Sequence, residues 1–93
     1  LHTAYRRQRQ MCKETGYLLG AEVFGLPVTR CVVFEDSFNG LKAGRAAGMK
    51  VVGLSTTNAP DQIQALCDSV IPDFRDFYVE KLFEMLAWTY NND

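Results

Sequence analysis

The sequence predicts an α/β fold in which a parallel sheet lies between helices, a three-layer arrangement. Short apolar runs rich in β-branched valine alternate with stretches whose apolar residues recur at helical spacing. Strands that alternate with helices pair in parallel through right-handed crossovers. The predicted order is helix, strand, helix, strand, helix, strand, helix.

The first helix and the first strand are predicted from apolar spacing. The helix covers residues 14–24, because Gly25 followed by Pro27 is a stop signal. Its apolar face carries Tyr17, Leu18, Ala21 and Phe24. The continuous apolar run at residues 31–34 predicts a strand that is buried on both faces.

The remaining elements follow from caps, small residues and further apolar runs. Asp36 or Ser37 can cap a second helix, which ends near Gly48 because glycine suits the left-handed position after a helix. A final helix is predicted after a cap at Asp76. Between them lie a predicted strand at residues 50–54, a short helix through Leu66 and a strand at residues 69–71. Ligands bind at the carboxyl ends of such strands, so we expect the polar loop 55–58 to lie near the end of the first strand.

Length and composition indicate one ordinary soluble domain. The chain has 93 residues, 47% of them hydrophobic, and a formal net charge of -1. This balance gives no reason to expect nucleic acid or a membrane as a partner. Cys12, Cys31 and Cys67 are odd in number and lack metal-ligand spacing, so we expect reduced thiols and a cytoplasmic location.

The amino-terminal residues 1–13 form a divergent basic segment, which we separate from a core domain at residues 14–93. The segment contains no acidic residue, and its basic residues are Arg6, Arg7, Arg9 and Lys13. Two interpretations stay open. The segment is either a short phosphate or nucleic-acid contact, or a solvated helix face.

Two adjacent carboxylates, Glu35 and Asp36, stand at the carboxyl end of the first predicted strand. Their repulsion and lost hydration must be offset by a cation, by helix N-terminal amides or by exposure to water. Carboxylate oxygens suit Mg²⁺, which typically binds one or two carboxylates plus phosphate oxygens and waters. An Asp-Ser pair after a strand is also an ordinary helix cap, so both interpretations stay open at this point.

A longer stretch, VVFEDSFNGLKAGRAAGMKVVGL at residues 32–54, carries a more specific pattern. An apolar strand and Glu-Asp-Ser are followed by a glycine, an alanine-rich helix, Ala-Gly-Met and a second valine-rich strand. This pattern closely resembles the fourth motif of the haloacid dehalogenase-like hydrolases, especially the branch containing β-phosphoglucomutase and sugar-phosphate phosphatases. The resemblance extends over about residues 14–77, where YLLGA, LP and VIPDFRDF also fit the branch.

The resemblance implies the carboxyl-terminal half of this family's core, a partial Rossmann-like sheet. It also implies Mg²⁺-dependent phosphoryl transfer through an aspartyl-phosphate, with a small phosphorylated metabolite as substrate. Glu35 and Asp36 would match the family's metal-binding acids. Ser37 and Asn39 would shape the loop that faces the phosphate.

The family's nucleophile motif, Asp-x-Asp-x-Thr, does not occur in residues 1–93. The family's lysine usually begins Lys-Pro-x-Pro, and the equivalent position here is Met11. Lys13 lies close by without either proline, so it can be the catalytic lysine only if the backbone is rearranged.

Two functional classes therefore stay open. The chain is either the carboxyl-terminal part of a phosphohydrolase or phosphomutase, inactive alone, or a non-catalytic binding or assembly module. In the family's sheet the nucleophile strand pairs with the strand at residues 31–34. Without it we expect that strand to have an open edge, so that the isolated chain is marginally stable or self-associates through this edge.

Overall fold

The structure, a computed structural model, describes residues 2–88 of the chain. Its strands are β1 (Val32–Glu35), β2 (Lys50–Leu54) and β3 (Ser69–Ile71). Its helices are α1 (His2–Phe24), α2 (Phe38–Ala46), α3 (Pro60–Ile63) and α4 (Val79–Leu86), with 3-10 turns at Val28–Arg30 and Gln64–Leu66. The strands are parallel and ordered β1-β2-β3, so the predicted α/β fold and its order of elements are confirmed.

Helices cover both faces of the sheet because successive strand residues point to opposite sides. On one face, Val33 and Val51 pack against α1, α2 and α3. On the other face, Val52 packs against Leu86 of α4. Glu35 follows Val33 by two residues, so its side chain points to the face that α1 and α2 cover.

Helix α2 lies close to the sheet because small residues line its inner face. Gly44 is so near β2 that a Cβ atom there would come within 2.9 Å of the Val51 side chain. The Ser37 hydroxyl accepts a hydrogen bond from the Gly40 N–H at 3.0 Å, so Ser37 is the residue that caps α2. Gly48 takes a φ of 80° after the helix, in keeping with the predicted stop.

Helix α1 is longer than predicted, because it begins at His2 instead of residue 14. The added residues include good helix formers such as Arg, Gln, Met and Ala, and they contain neither glycine nor proline. The helix therefore runs without a break through Lys13, and the division into two segments there remains a prediction. Within the described residues, no helix is both long and apolar enough to cross a bilayer.

Helix α4 also starts at a different residue from the one predicted. Its N-cap is Tyr78, whereas Asp76 takes a left-handed φ of 57° and lies in the preceding turn. The last part of the predicted core domain, residues 89–93, lies outside the described residues.

Strand β1 forms one edge of the described sheet and pairs only with β2. The Lys50 N–H donates to the Cys31 carbonyl at 3.0 Å. Main-chain groups of alternate residues point to opposite sides of a strand, so those of Val32 and Phe34 face the open edge. An apolar groove of about 350 Å³ runs between this edge and α1, with Phe24 on its rim.

Candidate functional site

The carboxyl end of β1 meets the loop that follows β2. The Asp36 carboxylate accepts hydrogen bonds from the Thr57 hydroxyl at 2.9 Å and from the Thr56 hydroxyl at 3.4 Å. The Asn58 amide donates to the Asp36 carbonyl at 3.3 Å. The structure thus brings the first strand end and the polar loop together.

The Glu35 carboxylate is held by α1 on one side and by the turn that leads into α2 on the other. Its Oε2 atom accepts from the Tyr17 hydroxyl at 3.1 Å and lies 3.4 Å from the Lys13 ammonium. Its Oε1 atom accepts from the Ser37 hydroxyl at 3.1 Å and from the main-chain N–H groups of Asp36 and Ser37 at 3.2 and 3.3 Å. With its side chain only 16% exposed, Glu35 has both oxygens engaged within the protein.

The two carboxylates are therefore adjacent in sequence but differ in environment. The Thr57 hydroxyl is the main cause that lowers the pKa of Asp36 below its ordinary value, so this carboxylate is ionised at neutral pH. Burial raises the pKa of Tyr17 to about 12, and the Glu35 charge and hydrogen bond add to that effect. The Tyr17 phenol consequently remains a proton donor to Glu35 at neutral pH.

Ser37 shapes this strand end through several contacts. Its hydroxyl caps α2, donates to Glu35 and lies 3.5 Å from the Lys13 ammonium. Asn39 lies in the first turn of α2 and lines a cleft of about 500 Å³ between α1, α2 and the β2–α3 loop. We call this the basic cleft, and its lining residues are Arg6, Ser37, Phe38, Asn39, Lys42, Thr57 and Asn58.

The structure adds two residues to those singled out from the sequence. Tyr17 belongs to the predicted apolar face of α1, and its contact with Glu35 depends on how α1 crosses the sheet. Thr57 lies in the predicted polar loop, and its hydroxyl bonds directly to Asp36. In the sequence, the only signal for the contacts of Tyr17 with Glu35 and of Thr57 with Asp36 was that Tyr17 and Thr57 each carry a hydroxyl group.

The oxygen donors around Asp36 fit Mg²⁺ in kind. Among residues 2–88, no three His, Cys, Asp or Glu side chains come together as a metal-ligand group. Asp36 offers a hard anionic oxygen beside two threonine hydroxyls. Mg²⁺ retains several waters and needs one or two carboxylates from a protein, so this sparse set suits it better than zinc, which takes three or four protein ligands.

Comparison with known proteins finds partial matches to hydrolases. The chain is 43% identical to hexitol phosphatase A of Escherichia coli over 58 residues, which is 62% of this chain and 26% of that protein. It is 35% identical to glycerol-1-phosphate phosphohydrolase 1 of Saccharomyces cerevisiae over 71 residues, covering 68% of this chain and 28% of that protein. It is 36% identical to a haloacid dehalogenase-like hydrolase domain-containing protein of Arabidopsis thaliana over 70 residues, covering 75% of this chain and 22% of that protein.

These matches confirm the resemblance to the haloacid dehalogenase-like hydrolases, including the branch with sugar-phosphate phosphatases. The chain spans about a quarter of the length of these three relatives. No family model matches the chain. No solved structure matches it either.

Proposed function

We propose that this chain is the carboxyl-terminal part of a Mg²⁺-dependent phosphohydrolase or phosphomutase that acts on small phosphorylated metabolites such as sugar phosphates. The observation that carries this proposal is the ionised Asp36 carboxylate at the carboxyl end of β1, beside threonine hydroxyls and the basic cleft. Relatives named as phosphatases support it.

Asp36 is the residue that would hold Mg²⁺ directly. A bound Mg²⁺ would supply positive charge that offsets the charge of a phosphate group. Glu35, the second predicted metal ligand, would support Asp36 without binding the metal itself. Its oxygens already accept hydrogen bonds from Tyr17 and Ser37. It fixes the turn that presents Asp36, since Glu35 also accepts the Asp36 N–H.

Lys13 would serve this site as a positioning residue. Its ammonium lies 3.4 Å from Glu35 and 3.5 Å from the Ser37 hydroxyl, so it ties α1 to the strand end. Its charge also offsets that of Glu35 next to a second carboxylate. Whether it touches substrate, as a catalytic lysine would, remains a prediction from the sequence.

The nucleophilic aspartate would come from outside these 93 residues, because no Asp-x-Asp-x-Thr motif occurs in them. The share of the relatives that the chain spans, about a quarter, agrees with a chain that supplies one part of the active site. We therefore propose that the chain alone has no turnover. Its free thiols, Cys12, Cys31 and Cys67, agree with a proposed cytoplasmic location, and its proposed partner is a metabolite instead of nucleic acid or a membrane.

Metal binding tests the proposal most directly. Mn²⁺, observed by electron paramagnetic resonance, substitutes for Mg²⁺ and should bind the wild-type chain at about millimolar concentration. Asp36→Asn should weaken binding about tenfold or more, because a neutral amide replaces the anionic ligand. Asp61→Asn is the matched control, since Asp61 is an exposed acid in α3, and it should leave binding unchanged.

Two results would contradict this proposal. Equal Mn²⁺ affinity in Asp36→Asn and the wild type would exclude Asp36 as a ligand of the metal. Hydrolysis of p-nitrophenyl phosphate by the wild-type chain, abolished in Asp36→Asn, would show that the nucleophile lies within residues 1–93.

A second candidate function is a non-catalytic assembly module, favoured by the open edge of β1. Within residues 2–88 the main-chain groups of Val32 and Phe34 face that edge without a strand partner, and the apolar groove runs along it. The occupant we propose is a second copy of the chain, because two edge strands can pair across a two-fold axis. Sedimentation velocity should then show a dimer that dissociates on dilution, and a monomer at every concentration would exclude it.

A further inference from the structure

The basic cleft brings together two cationic side chains that are 36 positions apart in the sequence. Arg6 comes from the first half of α1, and Lys42 comes from α2. The ion pairs among residues 2–88 join Lys13 to Glu35, Arg45 to Asp68 and Arg75 to Asp73, so neither Arg6 nor Lys42 has an acidic partner there. Two cations that face one cleft without a counter-ion favour an anionic occupant.

The other described lining residues are neutral and polar or aromatic, and none of those that the structure describes there is a carboxylate. Asn39 contributes an amide that can donate to an anion or to a hydroxyl group. The cleft volume of about 500 Å³ lies within the range of sites that hold small metabolites. The lining thus offers charge for an anionic group and polar contacts for the rest of a small molecule.

The position of Arg6 follows from the geometry of α1. Residues seven apart on a helix lie on nearly the same side, and Arg6 precedes Lys13 by seven. Lys13 is fixed on this side by its ion pair with Glu35. The same face of α1 therefore carries Lys13 to the strand end and Arg6 to the basic cleft.

We propose that the basic cleft binds the phosphate group of a small phosphomonoester, with Arg6 and Lys42 as its cationic contacts. This inference rests on the proposed function for the class of ligand and assigns the ligand a subsite. Thr57 joins the two regions, because its hydroxyl bonds to Asp36 and its side chain lines the cleft. A phosphate in the cleft would therefore lie next to the carboxylate proposed to hold Mg²⁺.

The proposal also assigns a role to the basic amino-terminal segment. Of the two interpretations that the sequence left open, it favours the phosphate contact for Arg6. Arg9 differs, because its guanidinium lies 5.5 Å from the centre of the Tyr5 ring and does not line the cleft. Comparing substitutions of Arg6 and Arg9 therefore distinguishes a specific phosphate contact from general attraction by the positive charge of the segment.

The test measures binding of inorganic phosphate and of glycerol 1-phosphate to the full chain by NMR chemical-shift titration, with chelator present so that no metal contributes. Arg6→Gln and Lys42→Gln should each weaken binding about tenfold, because each removes a charged hydrogen-bond donor. Arg9→Gln removes the same charge from the same helix and should change binding less than about twofold. All three side chains are exposed, so circular dichroism should show that each variant folds like the wild type.

Three outcomes would overturn the proposal. The first is no binding of either probe by the wild-type chain. The second is an equal loss in Arg9→Gln, which would indicate general attraction by the segment. The third is binding of a single-stranded oligonucleotide, in place of the small probes, that falls equally in all three variants.

Asp36→Asn separates this inference from the proposed function. Metal-free phosphate binding should persist or become tighter in Asp36→Asn, because the variant removes a negative charge beside the cleft and neither of its cations. If Mn²⁺ binding fails while phosphate binding depends on Arg6 and Lys42, only the metal-site proposal falls. If Mn²⁺ binding depends on Asp36 while phosphate binding is indifferent to Arg6 and Lys42, only the cleft proposal falls.

Discussion

The backbone of Gly40 in α2 lies directly against the Glu35 side chain, and a Cβ atom at position 40 would collide with the Glu35 carboxyl group. The glycine that follows Glu-Asp-Ser in the motif therefore makes room for the acid that precedes it. Only a residue without a side chain allows α2 to approach β1 this closely while Glu35 keeps its contacts with Tyr17 and Ser37.

Gly40→Ala should lower the free energy of unfolding by about 1–3 kcal/mol, because Glu35 must move and lose hydrogen bonds. Gly16→Ala is the matched control, since Gly16 lies in α1 with nothing within 4 Å of an added Cβ atom. That control should raise stability by about 0.5–1 kcal/mol through helix propensity. Urea unfolding measures both, and a stabilised Gly40→Ala variant would contradict the close packing.

In the Tyr17→Phe variant, the free energy of unfolding should decrease less between pH 10 and pH 12 than it does in the wild type. Burial raises the pKa of the folded Tyr17 phenol to about 12 from an ordinary value of 10.0. Between these values the unfolded chain loses this proton while the folded chain keeps it, so the free energy of unfolding decreases as pH rises. The Tyr17 contribution is complete below pH 10 and is lost by about pH 12.

Urea unfolding from pH 9 to 12 measures this effect as a difference between variants, so that contributions common to both chains cancel. Tyr5→Phe is the control, since Tyr5 is 59% exposed, and it should keep the wild-type slope. Identical slopes in Tyr17→Phe and the wild type would contradict the raised pKa of the Tyr17 phenol, of which burial is the main cause.

Asp68→Ala should destabilise the sheet more than Arg45→Ala does. The Asp68 carboxylate accepts the Val51 N–H at 2.7 Å and pairs with Arg45 at 3.1 Å. Val51 is fully buried, so loss of the acceptor leaves an unsatisfied donor and should cost about 1–3 kcal/mol. Arg45→Ala removes only a surface ion pair and should cost less than about 1 kcal/mol. Thermal unfolding compares the two variants, and equal costs would count against the main-chain contact.

Phe24→Ser should weaken self-association if the open edge of β1 is a contact between copies. Phe24 is 78% exposed and lies on the rim of the apolar groove. Val23 is 71% exposed on the same helix but does not line the groove, so Val23→Ser is the matched control. Sedimentation velocity should show a dimer constant about tenfold weaker for Phe24→Ser alone, in line with an apolar side chain buried at an interface. A similar loss in both variants would indicate non-specific association.

The strands could be predicted because their signals are local. The predicted strands at residues 50–54 and 69–71 coincide with β2 and β3, and the strand predicted at residues 31–34 differs from β1 by one residue. An apolar run bounded by polar or glycine residues carries this information within a few positions. The long amino-terminal part of α1 was missed because charged and polar helix formers give no apolar period to detect.

The contacts of the candidate site could not be predicted in the same way. Lys13 and Glu35 are 22 positions apart, and their meeting depends on the angle at which α1 crosses the sheet. The sequence placed Glu35 and Asp36 at a strand end, but their different surroundings follow from alternation along β1 and from the path of the β2–α3 loop. Whether these residues bind metal or phosphate is therefore a question for the titrations above.

Helix α1 also links its contacts mechanically. It is anchored in the core by Ala21, whereas Lys13 and Arg6 lie about 12 and 22 Å away along the same helix axis. Because both side chains lie on one continuous helix, a tilt of α1 about its core end would move Lys13 from Glu35 and Arg6 from the basic cleft together. The two regions would then open and close in step, with the larger displacement at Arg6.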